Sequence, residues 1–181
     1  TKERKKVEQF SQKGLPKSAL EQVKKIYALA KKEKQDAQVI KSLLYISGLQ
    51  SETRENNDIL SIKEIEAELK TSKEPVTSLL KNILAGMYLN YYEEERWELM
   101  DRTETTKFSK IDIATWGVAD FHKKISAIYL ESLKETKLLQ QTKLDPFNAI
   151  IIKGNVRHLR PTLYDLLAHQ ALTYFENDER D

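Results

Sequence analysis

The sequence predicts an all-α fold of about eight helices in antiparallel pairs, forming a tetratricopeptide-like helical stack or an irregular bundle. Three observations lead there. Apolar residues recur at three- and four-residue steps through most of the chain, the period of an amphipathic helix. Only five glycines and four prolines occur in 181 residues, too few for the many tight turns of an all-β fold. The polar breaks between periodic stretches are mostly short, which favours neighbouring helices that turn back on one another.

The elements follow in order. "KKVEQFSQKG" reads as a short basic helix with Val7 and Phe10 on one side, and Gly14 suits its C-terminal cap. In "LPKSALEQVKKIYALAKKEK", Pro16 fits a first helical turn. Ala19, Leu20, Val23, Ile26, Tyr27 and Ala30 then form the apolar stripe. "DAQVIKSLLYISGLQ" repeats the pattern through Val39, Ile40, Leu43, Leu44 and Ile46. The polar "SETRENND" is a loop. "ILSIKEIEAELKTSK" is a fourth helix with Ile62, Ile65 and Leu69 inward.

Pro75 opens the longest helix, apolar on more than one side between Leu79 and Tyr92, as in a deeply buried helix. "MDRTETTKFSKIDIATW" has no period and reads as a loop. "WGVADFHKKISAIYLESLK" is helical through Phe121, Ile125, Ile128, Tyr129 and Leu133. "LDPFNAIIIKGN" is ambiguous: Asp-Pro suits a helix start, and "AIII" suits a short strand. From Pro161 the chain is helical again, with Leu163, Leu166, Leu167, Ala171, Leu172 and Phe175 as its stripe. The tetratricopeptide signature does not recur at its usual period of about 34 residues. One helical domain over 1–181 is expected, with 101–115 as the candidate place for a subdivision.

Composition narrows the function. Hydrophobic residues make up 40% and charged residues 32% of the chain, with a net charge of +2. No global basic field points to nucleic acid. The charge is uneven: the first 35 residues hold Lys2, Arg4, Lys5, Lys6, Lys13, Lys17, Lys24, Lys25, Lys31, Lys32 and Lys34 against four glutamates. The aromatics among these lysines, Phe10 and Tyr27, belong to the apolar stripes and form no face for stacking bases, so solvated helix faces are expected and no nucleic-acid partner. There is no cysteine, which removes disulfides, thiolate nucleophiles and cysteine-based zinc sites. No apolar run approaches a membrane span. The chain begins at Thr1, so it reads as a piece of a larger polypeptide, and a removed leader stays open.

Chemistry-bearing residues are sparse. Asp165 and His169 are one helical turn apart and His158 is nearby, but two ligands on one face are too few for a zinc site. An i,i+4 helix pair is the plainer expectation. A metal-binding reading through His122, His158 and His169 stays as an alternative. "NYYEEERWE" sets aromatics beside three successive glutamates, which point about 100° apart on a helix and so do not line one pocket. An aromatic core is the plain expectation; a partner groove lined by Tyr88, Tyr91, Tyr92 and Trp97 is the functional one, since aromatics anchor interfaces. No Gly-x-Ser-x-Gly elbow or glycine-rich phosphate loop occurs. Arg157 and Arg160 in "GNVRHLRP" suit a structural turn. No catalytic residue, metal or cofactor is assigned.

Four phrases together, "GLPKSALEQVKKIYALAKKEK", "NYYEEERWELMDRTET", "DIATWGVADFHKKISAIYLESLK" and "LRPTLYDLLAHQALTYF", resemble the amino-terminal helical region of the alpha-2-macroglobulin-like proteins of Bacteroidetes. The likeness spans about Lys13 to Phe175, and "LRPTLYDLLAHQAL" is its most specific part. It implies a parent protein that is exported, envelope- or periplasm-associated and of the protease-trapping type. This segment would then be a non-enzymatic interaction or spacer module, and its partners later domains of the same polypeptide and proteases. The thioester chemistry of such proteins needs a cysteine, which this chain lacks. A stand-alone helical adaptor is the rival reading.

Overall fold

The computed structural model describes residues 2–51, 53–100, 112–152 and 157–177. Among these residues it is all-α, with eight α-helices: α1 (Lys2–Gln12), α2 (Pro16–Lys32), α3 (Asp36–Gln50), α4 (Asn57–Leu69), α5 (Val76–Met100), α6 (Val118–Ser132), α7 (Thr136–Gln141) and α8 (Leu163–Phe175). Short 3-10 turns lie at Ile113–Thr115, Asp145–Phe147 and Arg157–Leu159. The chain divides into two compact units, Thr1–Glu64 with Leu144–Arg157, and Ile65–Lys143 with His158–Asp181. The sequence reading expects one domain with a subdivision at 101–115, and of that stretch 101–111 lie outside the described residues.

In the first unit, α1 packs on α2 and α2 on α3. Val7, Ala19, Val23 and Ile46 form the buried centre, with Phe10, Leu20, Ile26, Tyr27 and Leu49 packed against it. These are the positions the helical period selects, with Leu49 added. Leu44 departs from the expected stripe and is partly exposed, one position away from buried Leu43. Polar ties flank the apolar centre. Glu3 accepts a hydrogen bond from Gln22, and Arg4 Nε donates to Gln38 at 2.9 Å. After α3, the loop arginine Arg54 donates to Asn57 Oδ1 and Ser61 Oγ, both at 2.9 Å, and pairs with Glu64 at 2.6 Å. It thereby fastens the loop onto the first turns of α4. Among the described residues of the unit's second segment, Leu144 and Phe147 are buried.

Both turns of the α1–α2–α3 run are closed by the same device. At the end of α1, Leu15 N–H reaches Phe10 C=O at 2.9 Å and Gly14 N–H reaches Ser11 C=O at 3.1 Å. At the end of α2, Gln35 N–H reaches Ala30 C=O at 2.9 Å and Lys34 N–H reaches Lys31 C=O at 3.3 Å. Each pair of bonds is a Schellman cap, whose penultimate residue adopts the left-handed conformation. Gly14 does so at φ 66° and Lys34 at φ 55°. Glycine carries no steric penalty there, whereas lysine does.

In the second unit, α5 packs most extensively on α6, and α8 on α5, α6 and α7. Leu80, Phe121, Ile125, Leu139, Leu163 and Leu167 are almost wholly buried. The expected helix from Pro161 begins two residues later, because Thr162 is its cap. Its buried stripe is Leu163, Leu167, Ala171 and Tyr174. Leu172, expected inside, is mostly exposed; it lies nine residues from Leu163, about half a turn round the helix. The short helix α7 has no counterpart in the sequence reading, being only six residues long. The ambiguous "AIII" is no strand: Ala149 and Ile150 lie in a turn and Ile151 at a bend.

The two caps make opposite predictions. A β-carbon at Gly14 meets nothing within 4 Å, so Gly14→Ala isolates the backbone cost and should destabilise by about 1 kcal/mol. Lys34→Gly should stabilise by roughly 0.5–1 kcal/mol, since the same strain is relieved. Denaturant midpoints at constant slope would check both; a loss of stability in Lys34→Gly would contradict the cap assignment.

Candidate functional site

The four aromatics expected to line a groove are divided between core and surface. Tyr88 and Tyr92 are each 4% exposed, Tyr91 is half-buried, and Trp97 is 78% exposed. Tyr88 and Trp97 are nine residues apart on α5, about 180° around the helix. They cannot line one groove. Tyr88 stacks on Trp116 with ring centres 5.5 Å apart. Tyr91 and Tyr92 both lie 5.8 Å from the Phe121 ring, and Trp116 meets the same ring edge-on at 5.2 Å. Tyr88, Tyr91 and Tyr92 thus belong to an aromatic cluster between α5, the segment before α6, and α6 itself. Trp97 stands outside it, with the Arg96 guanidinium 5.9 Å from its ring.

Polar atoms at the edge of this cluster are joined to one another. The Tyr88 hydroxyl donates to Glu66 at 2.9 Å. Burial, reinforced by Glu66, holds its phenol above the usual tyrosine range. His122, half-buried on α6, meets the Tyr92 ring edge-on at 4.8 Å. Its Nδ1 is 2.9 Å from the Tyr174 hydroxyl, which is also 3.3 Å from the His122 carbonyl. The phenol has one proton to give. When Nδ1 carries hydrogen it donates to Tyr174, and the phenol proton goes to the carbonyl. Deeper still, the buried Asn82 carboxamide donates to Ser132 Oγ at 3.3 Å and to the Leu167 carbonyl at 3.2 Å. Ser132 Oγ in turn donates to the Tyr129 carbonyl at 2.7 Å.

The histidines and Asp165 go to separate places. Asp165 closes a reciprocal cap at the start of α8: its carboxylate accepts from Thr162 N–H at 2.9 Å and from Thr162 Oγ1 at 2.6 Å. Asp165 N–H donates back to Thr162 Oγ1 at 3.3 Å. This is the capping box, and it replaces the expected pairing of Asp165 with His169. His169 is exposed one turn on; its carbonyl accepts from Thr173 Oγ1 at 3.0 Å. His158 is exposed in the 3-10 turn before α8. Among the described residues no three His, Cys, Asp or Glu side chains gather into a set able to hold a metal ion. The residues that tie these helices together and that sequence spacing does not single out are Asn82 and Tyr174. An asparagine inside an apolar helix is a signal that could have marked the first; no local pattern marks the second.

Compared with known protein families, with curated proteins and with solved structures, the chain matches none. Among the described residues no helix is long and apolar enough to cross a membrane.

Burial, with smaller contributions from Tyr174 and Glu93, pushes the Tyr129 phenol up to about 12. An unfolded tyrosine ionises near pH 10. Between pH 10 and 12 the unfolded state therefore binds fewer protons than the folded one, and stability should fall as pH rises. Tyr88 shifts in the same direction and adds to the effect. A spectrophotometric titration should show part of the tyrosine ionisation delayed until the chain unfolds. Free ionisation of all tyrosines near pH 10 with the fold intact would contradict the burial described.

Proposed function

We propose that the chain is a non-catalytic helical module for protein interaction or spacing, carried by an exported alpha-2-macroglobulin-like protein of the protease-trapping type. The ordered phrases between Lys13 and Phe175 support the family reading. The use to which the polar residues are put supports the non-catalytic one. In the most specific phrase, "LRPTLYDLLAHQAL", Thr162 and Asp165 cap a helix, while Leu163, Leu167 and Ala171 fill the core. Every residue of that phrase with a defined contact serves the helix and its packing. His122 and Asn82 likewise tie helices together.

On this reading the module sits in the cell envelope or periplasm, and its partners are later domains of the same polypeptide and proteases. Trp97 is the aromatic of the original four that remains exposed for such a contact. The decisive experiment is an immunoblot of cell fractions with an antibody raised against these 181 residues. A band far above 21.1 kDa in the envelope fraction is expected. A soluble band near 21.1 kDa would overturn the reading and leave a stand-alone helical adaptor.

A further inference from the structure

The outer face of α2 carries an ordered line of charge that the interaction-module reading does not use. Lys17, Lys24 and Lys31 recur every seven residues, and Lys25 and Lys32 stand beside them. With about 100° per residue the five share a sector about 120° wide. All five are exposed. Along the helix axis the seven-residue step is about 10.5 Å, so the ridge is a nearly straight row. Glu21 is the one acid in the sector, and Ala28 the one apolar residue. Lys13 and Lys34 are exposed just beyond the two ends of the helix.

The row is rigidly presented. Ala19, Val23 and Ala30, on the opposite side of α2, are buried, so the ridge faces directly away from the core of its unit. The turn leading into the helix is closed by the cap at Gly14 and its C-terminal end by the cap at Lys34. The charge is therefore set in place before any partner arrives, and binding would order side chains alone.

We propose that this ridge docks the protein onto an anionic lipid surface. Four to eight clustered lysines on one helix face suffice for such adsorption. The residue types favour lipid over nucleic acid. Lysine offers a point charge without the planar fork that reads guanine or clasps a phosphate in two bonds. The sector holds no aromatic ring to stack a base. A straight row instead matches a plane of headgroups. Leu29, 50% exposed, flanks Lys25 and Lys32 one helical turn away and can enter the interfacial layer beneath the headgroups.

The test is co-sedimentation of the 181-residue chain with vesicles of mixed phosphatidylglycerol and phosphatidylcholine, and with vesicles of phosphatidylcholine alone. Binding to the anionic vesicles alone, weakening as salt rises, is expected. The triple variant Lys24→Gln, Lys25→Gln, Lys32→Gln should lose about a hundredfold in partition, near fivefold for each lysine. A charge-matched control, Lys134→Gln, Lys137→Gln, Lys143→Gln, alters exposed lysines of the other unit and should partition as the parent does. Circular dichroism confirms that each variant stays helical. Equal loss in both triples would overturn the proposal, since net charge rather than the ridge would then govern binding. Absence of vesicle binding by the parent, or binding to a DNA duplex in its place, would overturn it too.

Discussion

The second unit depends on one buried carboxamide. Asn82 sits in the apolar middle of α5, 3% exposed, where a polar group without partners would cost several kcal/mol. Its Nδ2 finds two acceptors at once: Ser132 Oγ at the end of α6 and the Leu167 carbonyl inside α8. The amide thus links α5, α6 and α8 of the unit. A one-residue rotation or slide of α6 or α8 would strand it. Apolar packing accepts many such registers at similar energy. The paired polar group singles out one.

Its neighbours follow the same logic. Ser132 meets Asn82 and the Tyr129 carbonyl, Tyr174 meets His122, and Tyr88 meets Glu66. Each spends its polar atoms on a contact between elements or on a local turn. The first unit reaches the same end by other means. There the geometry comes from its two Schellman caps and from Arg54, which gathers Asn57, Ser61 and Glu64 around the loop before α4. In both units the polar groups named here are ones that hold helices or their turns together.

How much of this can be read from the sequence varies with the kind of interaction. Period alone places α3 at Asp36–Gln50 and identifies most of the core, because burial follows the helical repeat. Gly14 is legible as a cap because glycine is the residue that the left-handed conformation favours. Lys34 takes the same role without any such mark. The Thr162-x-x-Asp165 spacing is itself a cap signal, though the histidine at 169 makes it look like half of a site. Helical geometry also separates Trp97 from Tyr88, but only once the angle between them is reckoned. The partnership of Asn82 with Ser132 and Leu167, 50 and 85 residues away, is not legible, since no local pattern encodes which helices meet.

If Asn82 is what sets the register of α5, α6 and α8, its contribution must be shared with its partner. A double-mutant cycle with Asn82→Ala, Ser132→Ala and the pair, read by denaturant unfolding, measures that sharing directly. The account predicts a loss of about 2–3 kcal/mol for Asn82→Ala, the cost of orphaned buried partners. It also predicts a coupling of at least ~0.5 kcal/mol with Ser132→Ala. Additive losses, or an Asn82→Ala variant as stable as the parent, would contradict it.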